Sequence, residues 1–479
     1  MSLTPELQVD QETPIIPKNN EEITEDNRVI DESPDSPRSN LEDPEKEFKT
    51  SSNLSYEKKS LLMRCCGPIR AGSLRGASFA MCSITFGAGC LLFPGAVRIT
   101  GPFLAILFFL IVSFASLYTE KLLVNAALKE NVLDYDKLIE LKMGKGMVIF
   151  YDINNIIFTM GVIMSYQKGI FEFGLQLLQI FFGIDPNDHH VKLYLLGSSF
   201  LFIQVPLVLL KNIAKLQYAS IVATISLIFC VVVVDAEMPF YLYHYIKDKK
   251  TIPIIEKFDW HTNNYFDTFA TFLFGFSCHN GILQVLNELK NPIQRRCDKV
   301  LRNAFAIEIV LYGSISLCGY FSTFRETPDY FLTRPNLPGF SKDYFIILAQ
   351  FTLFVCLHCV MAINYNIMRT SYKSICCKGK DMNFYLDLFI AIITLLGCNA
   401  IVYFMDKIID IIGMFSGFSN TIICFVNPVF IYTRSCLDKK LTWKHFMPYF
   451  VLVFMIITGT ICTGKSIVTC IMSLINNVK

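Results

Sequence analysis

Two stretches decide the fold: SITFGAGCLLFPGA from Ser83 to Ala96, and FLFGFSCHNGIL from Phe272 to Leu283. Both are apolar enough for a bilayer. Yet Gly87 and Gly89 interrupt the first, and Gly275 and Gly281 bracket Ser277, Cys278, His279 and Asn280 in the second. Glycine lowers the cost of leaving helical geometry, and lipid cannot satisfy the backbone groups that an unwound turn releases. A break of this kind must line a cavity or bind something. Taken singly, each set of glycines is equally compatible with close helix packing. Two interruptions at matched positions favour a binding site between them.

Outward from these stretches, apolar runs of about twenty residues recur, each long enough for a hydrocarbon core about 30 Å thick. Eleven are read at 76–97, 101–127, 147–176, 192–210, 217–244, 266–286, 301–324, 344–368, 384–404, 410–433 and 447–472. The interrupted runs are the first and the sixth, the spacing of a five-plus-five inverted repeat with one helix added. The expected fold is therefore all-α and integral to a membrane, with eleven transmembrane helices. Composition agrees: 53% of the 479 residues are hydrophobic, 18% are charged, and the mean hydropathy is +0.43. These values are too apolar for a soluble chain of this length.

Residues 1–50 differ, with 14 Asp/Glu against 5 Lys/Arg and few large apolar side chains. Residues 1–57 are read as a disordered acidic tail and 58–479 as the transmembrane domain. No apolar stretch follows Met1, so a cleavable signal is not expected. Short loops rich in Lys and Arg, among them Arg295, Arg296, Lys299 and Arg302, alternate with poorer ones. The basic side, with the N-terminus, is expected in the cytosol, although Lys247, Lys249, Lys250 and Lys257 are a counter-signal. Most of the 17 cysteines lie within apolar runs, where Cys behaves as a small hydrophobe. The doublets Cys65-Cys66 and Cys376-Cys377 stand beside membrane segments, where either palmitoylated or unmodified thiols fit.

The two breaks suit one class of ligand. The positive end of a half-helix holds a carboxylate, worth about 1–2 kcal/mol when partly buried, while unwound carbonyls receive an ammonium. An amino acid supplies both groups. Within 85–90 and 274–280 only His279 is ionisable by a change near neutral pH, so a charged substrate side chain would go unpaired there. The candidate substrate residues are Thr85, Phe86, Gly87, Ala88, Gly89, Cys90, Phe274, Phe276, Ser277, Cys278, His279 and Asn280. The expected substrate is a small or medium neutral amino acid. No cofactor, metal or nucleic acid is expected; the partners are the substrate and the lipid bilayer.

Further strings accompany the two breaks: GSLRGASFAMCSITFGAGCLLFPGA (72–96), PLVLLKNIAKLQYAS (206–220), GFSCHNGILQVLNELKNP (275–292), Gly319-Tyr320, Arg369 to Ser371, and IIGMFSGFSNTIICFVNPVFIY (411–432). In these strings and their order the sequence resembles the amino acid/auxin permease family, and within it the system A and N type neutral amino acid transporters and their vacuolar relatives. The resemblance covers residues 73 to about 472. It implies a LeuT-like fold of the first ten helices, a central site between the first and sixth, and residence in a plasma or vacuolar/lysosomal membrane. Sodium-coupled members place an Asn four residues before the first motif glycine, where this chain has Ser83, and a Thr eleven residues before the Arg closing helix 8, where it has His358. The resemblance thus assigns cation coupling to Ser83, Ala88 and His358. Nitrogen is a poor ligand for a hard cation, so transport driven by protons, or by the substrate gradient alone, is expected in place of tight sodium coupling, with His358 either the carrier or a neutral, hydrogen-bonded side chain.

Other ionisable residues in or near the spans are read structurally: Lys168 and Glu172 as an i,i+4 pair, Glu308 near the cytosolic start of the seventh helix, and Asp235 and Glu237 at an interface. No HExxH or GxSxG occurs and the histidines are scattered, which disfavours an enzyme. The alternative function is a sensor of the same fold that binds an amino acid without moving it.

Overall fold

The computed structural model describes residues 72–85, 88–210, 213–247, 264–337, 339–340, 342–377, 379–380, 382–405, 408–437 and 443–478. The acidic tail and Cys65-Cys66 lie outside them. In chain order the helices are α1 (Leu74–Thr85), α2 (Phe93–Thr100), α3 (Pro102–Glu130), α4 (Tyr135–Met143), α5 (Lys145–Phe182), α6 (His189–Ser199), α7 (Val205–Leu209), α8 (Ile213–Lys247), α9 (Tyr265–Gly275), α10 (His279–Asn287), α11 (Gln294–Thr323), α12 (Tyr344–Cys377), α13 (Phe384–Phe404), α14 (Ile408–Thr421), α15 (Asn427–Cys436) and α16 (Trp443–Val478). The protein is all-α; no strand occurs among the described residues.

Nine helical stretches among the described residues are long and apolar enough to cross a membrane, and ten when α1 and the segment Gly89–Thr100 are taken as one bent span. The segment read as the tenth span is not among them. It is α14, a π turn over Ile422–Val426, and α15. The number eleven therefore rests on the sequence reading of that segment.

Burial shows which spans are central. Of the apolar window in Tyr265–Asn287, 78% is buried inside the molecule, against 22% for His189–Leu209 and 28% for Phe446–Met472. The outer helices face outward with Phe103, Phe114, Phe202, Tyr385, Phe450 and other large apolar side chains, as lipid-facing surfaces must. α16 docks on α14 through small residues: a Cβ on Gly417 would lie 2.9 Å from the Gly459 carbonyl. Without a hydrophobic drive between helices in lipid, this close backbone approach supplies the attraction.

Several charges inside the bundle are paired. Arg369 of α12 donates to Asp387 of α13 (2.8 Å), to the Val208 carbonyl ending α7 (2.7 Å), and to Asn366. Arg334 pairs with Glu237 and lies over the rings of Tyr241 and Phe331. Lys168 and Glu172 form the expected i,i+4 pair at 3.1 Å. Asp387 and Arg369 are both buried, so removing one partner strands the other: Asp387→Ala should cost about 3–5 kcal/mol. Lys137→Ala breaks the exposed pair with Asp134 and should cost under about 1 kcal/mol. Thermal midpoints in detergent check both, and equal losses would contradict the ranking.

Candidate functional site

Both predicted interruptions are present. α1 ends at Thr85, a 3-10 turn runs over Ala88–Leu92, α2 follows, and the two halves are inclined by 52°. Phe86 and Gly87 lie outside the described residues. α9 ends at Gly275, and Phe276, Ser277 and Cys278 form the link to α10. Phe276 (φ −97°, ψ 19°) and Cys278 (φ −132°, ψ 1°) leave the helical region, which turns α9 and α10 into separate half-helices.

The breaks abut. A Cβ on Gly89 would stand 3.0 Å from the Phe274 ring and 3.5 Å from the Cα of Gly275. One on Gly275 would overlap the Phe93 ring, so no larger residue fits there without moving α2. Around this contact Phe93, Phe109, Phe272, Phe276 and Tyr312 interlock edge to face, with centroid separations of 4.9 Å (Phe93 to Phe272), 5.1 Å (Phe93 to Tyr312) and 5.3 Å (Phe109 to Phe276). Their burial locks α2, α3, α9 and α11 together at the level of both breaks.

Side chains from neighbouring helices take up released carbonyls. The Tyr312 hydroxyl donates to the Thr85 carbonyl (2.8 Å), Ser116 to that of Phe276 (2.8 Å), and Asn420 to that of Leu273 (2.9 Å). Ser277 also turns its hydroxyl back to the Leu273 carbonyl (2.8 Å). The Thr85 hydroxyl is spent on Met81 within α1 (3.0 Å). Cys90 is buried, Asn280 is half-buried, and Ala88 opens the 3-10 turn.

His279, the first residue of α10, is 1% exposed; its Nε2 meets the Thr119 hydroxyl at 2.9 Å and its Nδ1 has no partner among the described residues. Cys278 donates from Sγ to Oε1 of Glu120 (3.2 Å). One donor atom each from Glu120, Cys278 and His279 converges within 4.8 Å. Glu120, Ser116, Thr119, Tyr312 and Asn420 were absent from the sequence-derived site. The available signal was the pair Ser116 and Glu120, one turn apart in an otherwise apolar run. Glu308 is not near the start of its helix: it lies fourteen residues beyond Gln294, about 21 Å along α11, and is buried.

The residues assigned to cation coupling are engaged separately. Ser83 shares a hydrogen bond with Thr224 of α8 (2.8 Å). His358 uses Nδ1 on the Phe354 carbonyl (2.8 Å) and Nε2 on Ser199 (2.9 Å), and Ser199 also accepts from Gln204, which binds Gln167 and Asn399. Since a carbonyl only accepts, Nδ1 carries the hydrogen and Nε2 accepts from Ser199. Among the described residues no hydrogen bond joins Ser83 to His358.

The chain belongs to the family described as transmembrane amino acid transporter protein, whose model matches residues 70–472. It is 24% identical over 428 residues to the sodium-coupled neutral amino acid symporter 2 of Danio rerio, covering 83% of this chain and 82% of that one. It is 27% identical over 276 residues to a Toxoplasma gondii protein that carries the name amino acid transporter AAT1; this covers 56% of this chain and 36% of that protein's length. Among solved structures, the outward-open state of a Na+-coupled sialic acid symporter aligns with a TM-score of 0.49 at 11% identity, over 86% of this chain and 93% of that one.

Gly275→Val should abolish substrate binding while the protein still inserts and runs as a single species in detergent, because its side chain wedges Phe93 away from the break. Tyr312→Phe leaves the Thr85 carbonyl without its donor and should weaken binding by roughly 1–3 kcal/mol. Binding of labelled amino acid to purified protein checks both, and wild-type affinity in Gly275→Val would remove the breaks from the site.

Proposed function

We propose that this chain is a secondary transporter that carries small or medium neutral amino acids across a plasma or vacuolar/lysosomal membrane by alternating access, its N-terminus in the cytosol. The observation that carries this reading is the abutment of the two breaks at Gly89, Phe274 and Gly275. In this reading the half-helix starts at the two breaks receive the substrate carboxylate and the unwound turns its ammonium, the complement of a zwitterion. The names of the relatives point to the same substrate class.

The coupling ion in this reading is the proton. Two relatives in the family are named as sodium-coupled, but the side chains at the corresponding positions are occupied by the protein itself: Ser83 by Thr224, and His358 by Phe354 and Ser199. Sodium would have to displace these bonds to gain one hydroxyl oxygen and a nitrogen, a weak exchange for a hard cation.

Uptake into proteoliposomes tests both parts. Alanine and glutamine should compete with labelled substrate better than arginine and glutamate. Accumulation should persist without sodium and rise with an inward proton gradient. Preference for a charged substrate would reject the first part, and strict sodium dependence the second.

A further inference from the structure

Two carboxylates lie inside the bundle without an ion-pair partner among the described residues. Glu120 on α3 and Glu308 on α11 are 7% and 5% exposed, and neither takes part in an ion pair among the described residues. Elsewhere the buried acids Glu237 and Asp387 have Arg334 and Arg369. Asp152 and Asp343 are likewise buried without an ion pair among the described residues, but Glu120 and Glu308 are the two that stand beside the breaks. Oε1 of Glu120 accepts from Cys278, inside the second break, at 3.2 Å, and from Ser116 at 3.3 Å, and that same Ser116 hydroxyl donates to the Phe276 carbonyl. Glu308 lies on α11 one turn before Tyr312, whose hydroxyl holds the carbonyl of Thr85, the last residue of α1 before the first break.

The carboxylates also interact electrostatically with one another. The other titratable groups in electrostatic contact with them are Cys82 of α1, Lys121 of α3 itself, Cys278, Tyr312 of α11 and Cys424 in the π turn, while His279 adjoins through Thr119. Like charges that interact in a buried site without an ion-pair partner cannot both be held ionised at tolerable cost.

We propose that Glu120 and Glu308 together form the proton-carrying site of this transporter. A proton from the water on one side binds the pair, is held as a carboxylic acid O–H, and leaves as a proton to the other side; no other bond is made or broken. Its presence is felt at the break because Ser116 has one hydrogen to give. An ionised Glu120 draws that hydrogen to Oε1, and a protonated Glu120 leaves it on the Phe276 carbonyl. The pair acts through the helices and need not touch the substrate. This assignment rests on the reading of the chain as a proton-driven amino acid transporter.

The test uses full-length protein in proteoliposomes with a trapped pH dye, comparing wild type with Glu120→Gln, Glu308→Gln and His358→Ala. One coupled proton sustains about tenfold accumulation per pH unit of gradient. Either Gln variant should lose that accumulation and the accompanying dye signal, while exchange of labelled for unlabelled amino acid at equal pH continues. His358→Ala should keep the pH response. Both Gln variants are judged at equal reconstituted amounts, so one that fails to fold leaves the other to decide. A full pH response in Glu120→Gln and Glu308→Gln would overturn the assignment, as would its loss in His358→Ala alone. So would loss of a sodium response, or of arginine recognition, in the Gln variants. Absence of any amino acid exchange by the wild type would instead sink the transport reading itself.

Discussion

A backbone carbonyl that leaves helical pairing inside a bilayer has no water to turn to, and the rest of this structure follows from how three such carbonyls are answered. Each partner comes from a different helix: Tyr312 of α11 for Thr85, Ser116 of α3 for Phe276, and Asn420 of α14 for Leu273. An unpaired buried carbonyl costs about 1–3 kcal/mol in proteins and more in hydrocarbon, so the breaks are affordable only where these helices surround them. The same requirement explains why the sixth span has the most buried window, at 78%. A span that cannot satisfy itself must sit at the centre of its neighbours.

How much of this was legible in the chain depends on the type of signal. Breaks written in glycine were readable, because Gly87, Gly89 and Gly275 contradict the local pattern. Spans were readable because hydrocarbon thickness dictates their length. The partners of the breaks were not. Ser116 and Tyr312 look like any polar residues in an apolar run, and only the crossing of α3 and α11 with α9 and α1 brings their hydroxyls to carbonyls 160 and 227 positions away. Glu308 was read by its distance along the chain from a basic loop, but α11 begins at Gln294 and carries it a further fourteen residues inward. The position of a helix start is the weakest part of any sequence reading, and for a buried acid it changes the meaning of the residue.

The polar groups in the bundle fall into two kinds with different physical consequences. The set formed by His358, Ser199, Gln204, Gln167 and Asn399 can satisfy most of its donors while remaining neutral, so it fixes α5, α6, α12 and α13 against one another without depending on pH. The carboxylates of Glu120 and Glu308 cannot be settled in that way. Hydroxyl and thiol neighbours stabilise a charge only in part, and the Ser116 hydroxyl is also needed by the Phe276 carbonyl at the second break.

Under the proposed assignment, this shared use of donors makes the breaks responsive. Ser116 has a single hydrogen and two acceptors, Glu120 Oε1 at 3.3 Å and the Phe276 carbonyl at 2.8 Å, and a change at one acceptor must alter the other. Phe276 in turn packs its ring on Phe93, Phe109 and Tyr312, and Tyr312 holds the Thr85 carbonyl of the other break. A chain of contacts therefore runs from one interrupted helix to the other through hydrogen bonds at its ends and close-packed rings in the middle. Rings packed at interior density transmit displacement because they have no free volume in which to absorb it. Two half-helices joined in this manner are mechanically one unit, and under the proposed assignment a charge change beside either break biases both.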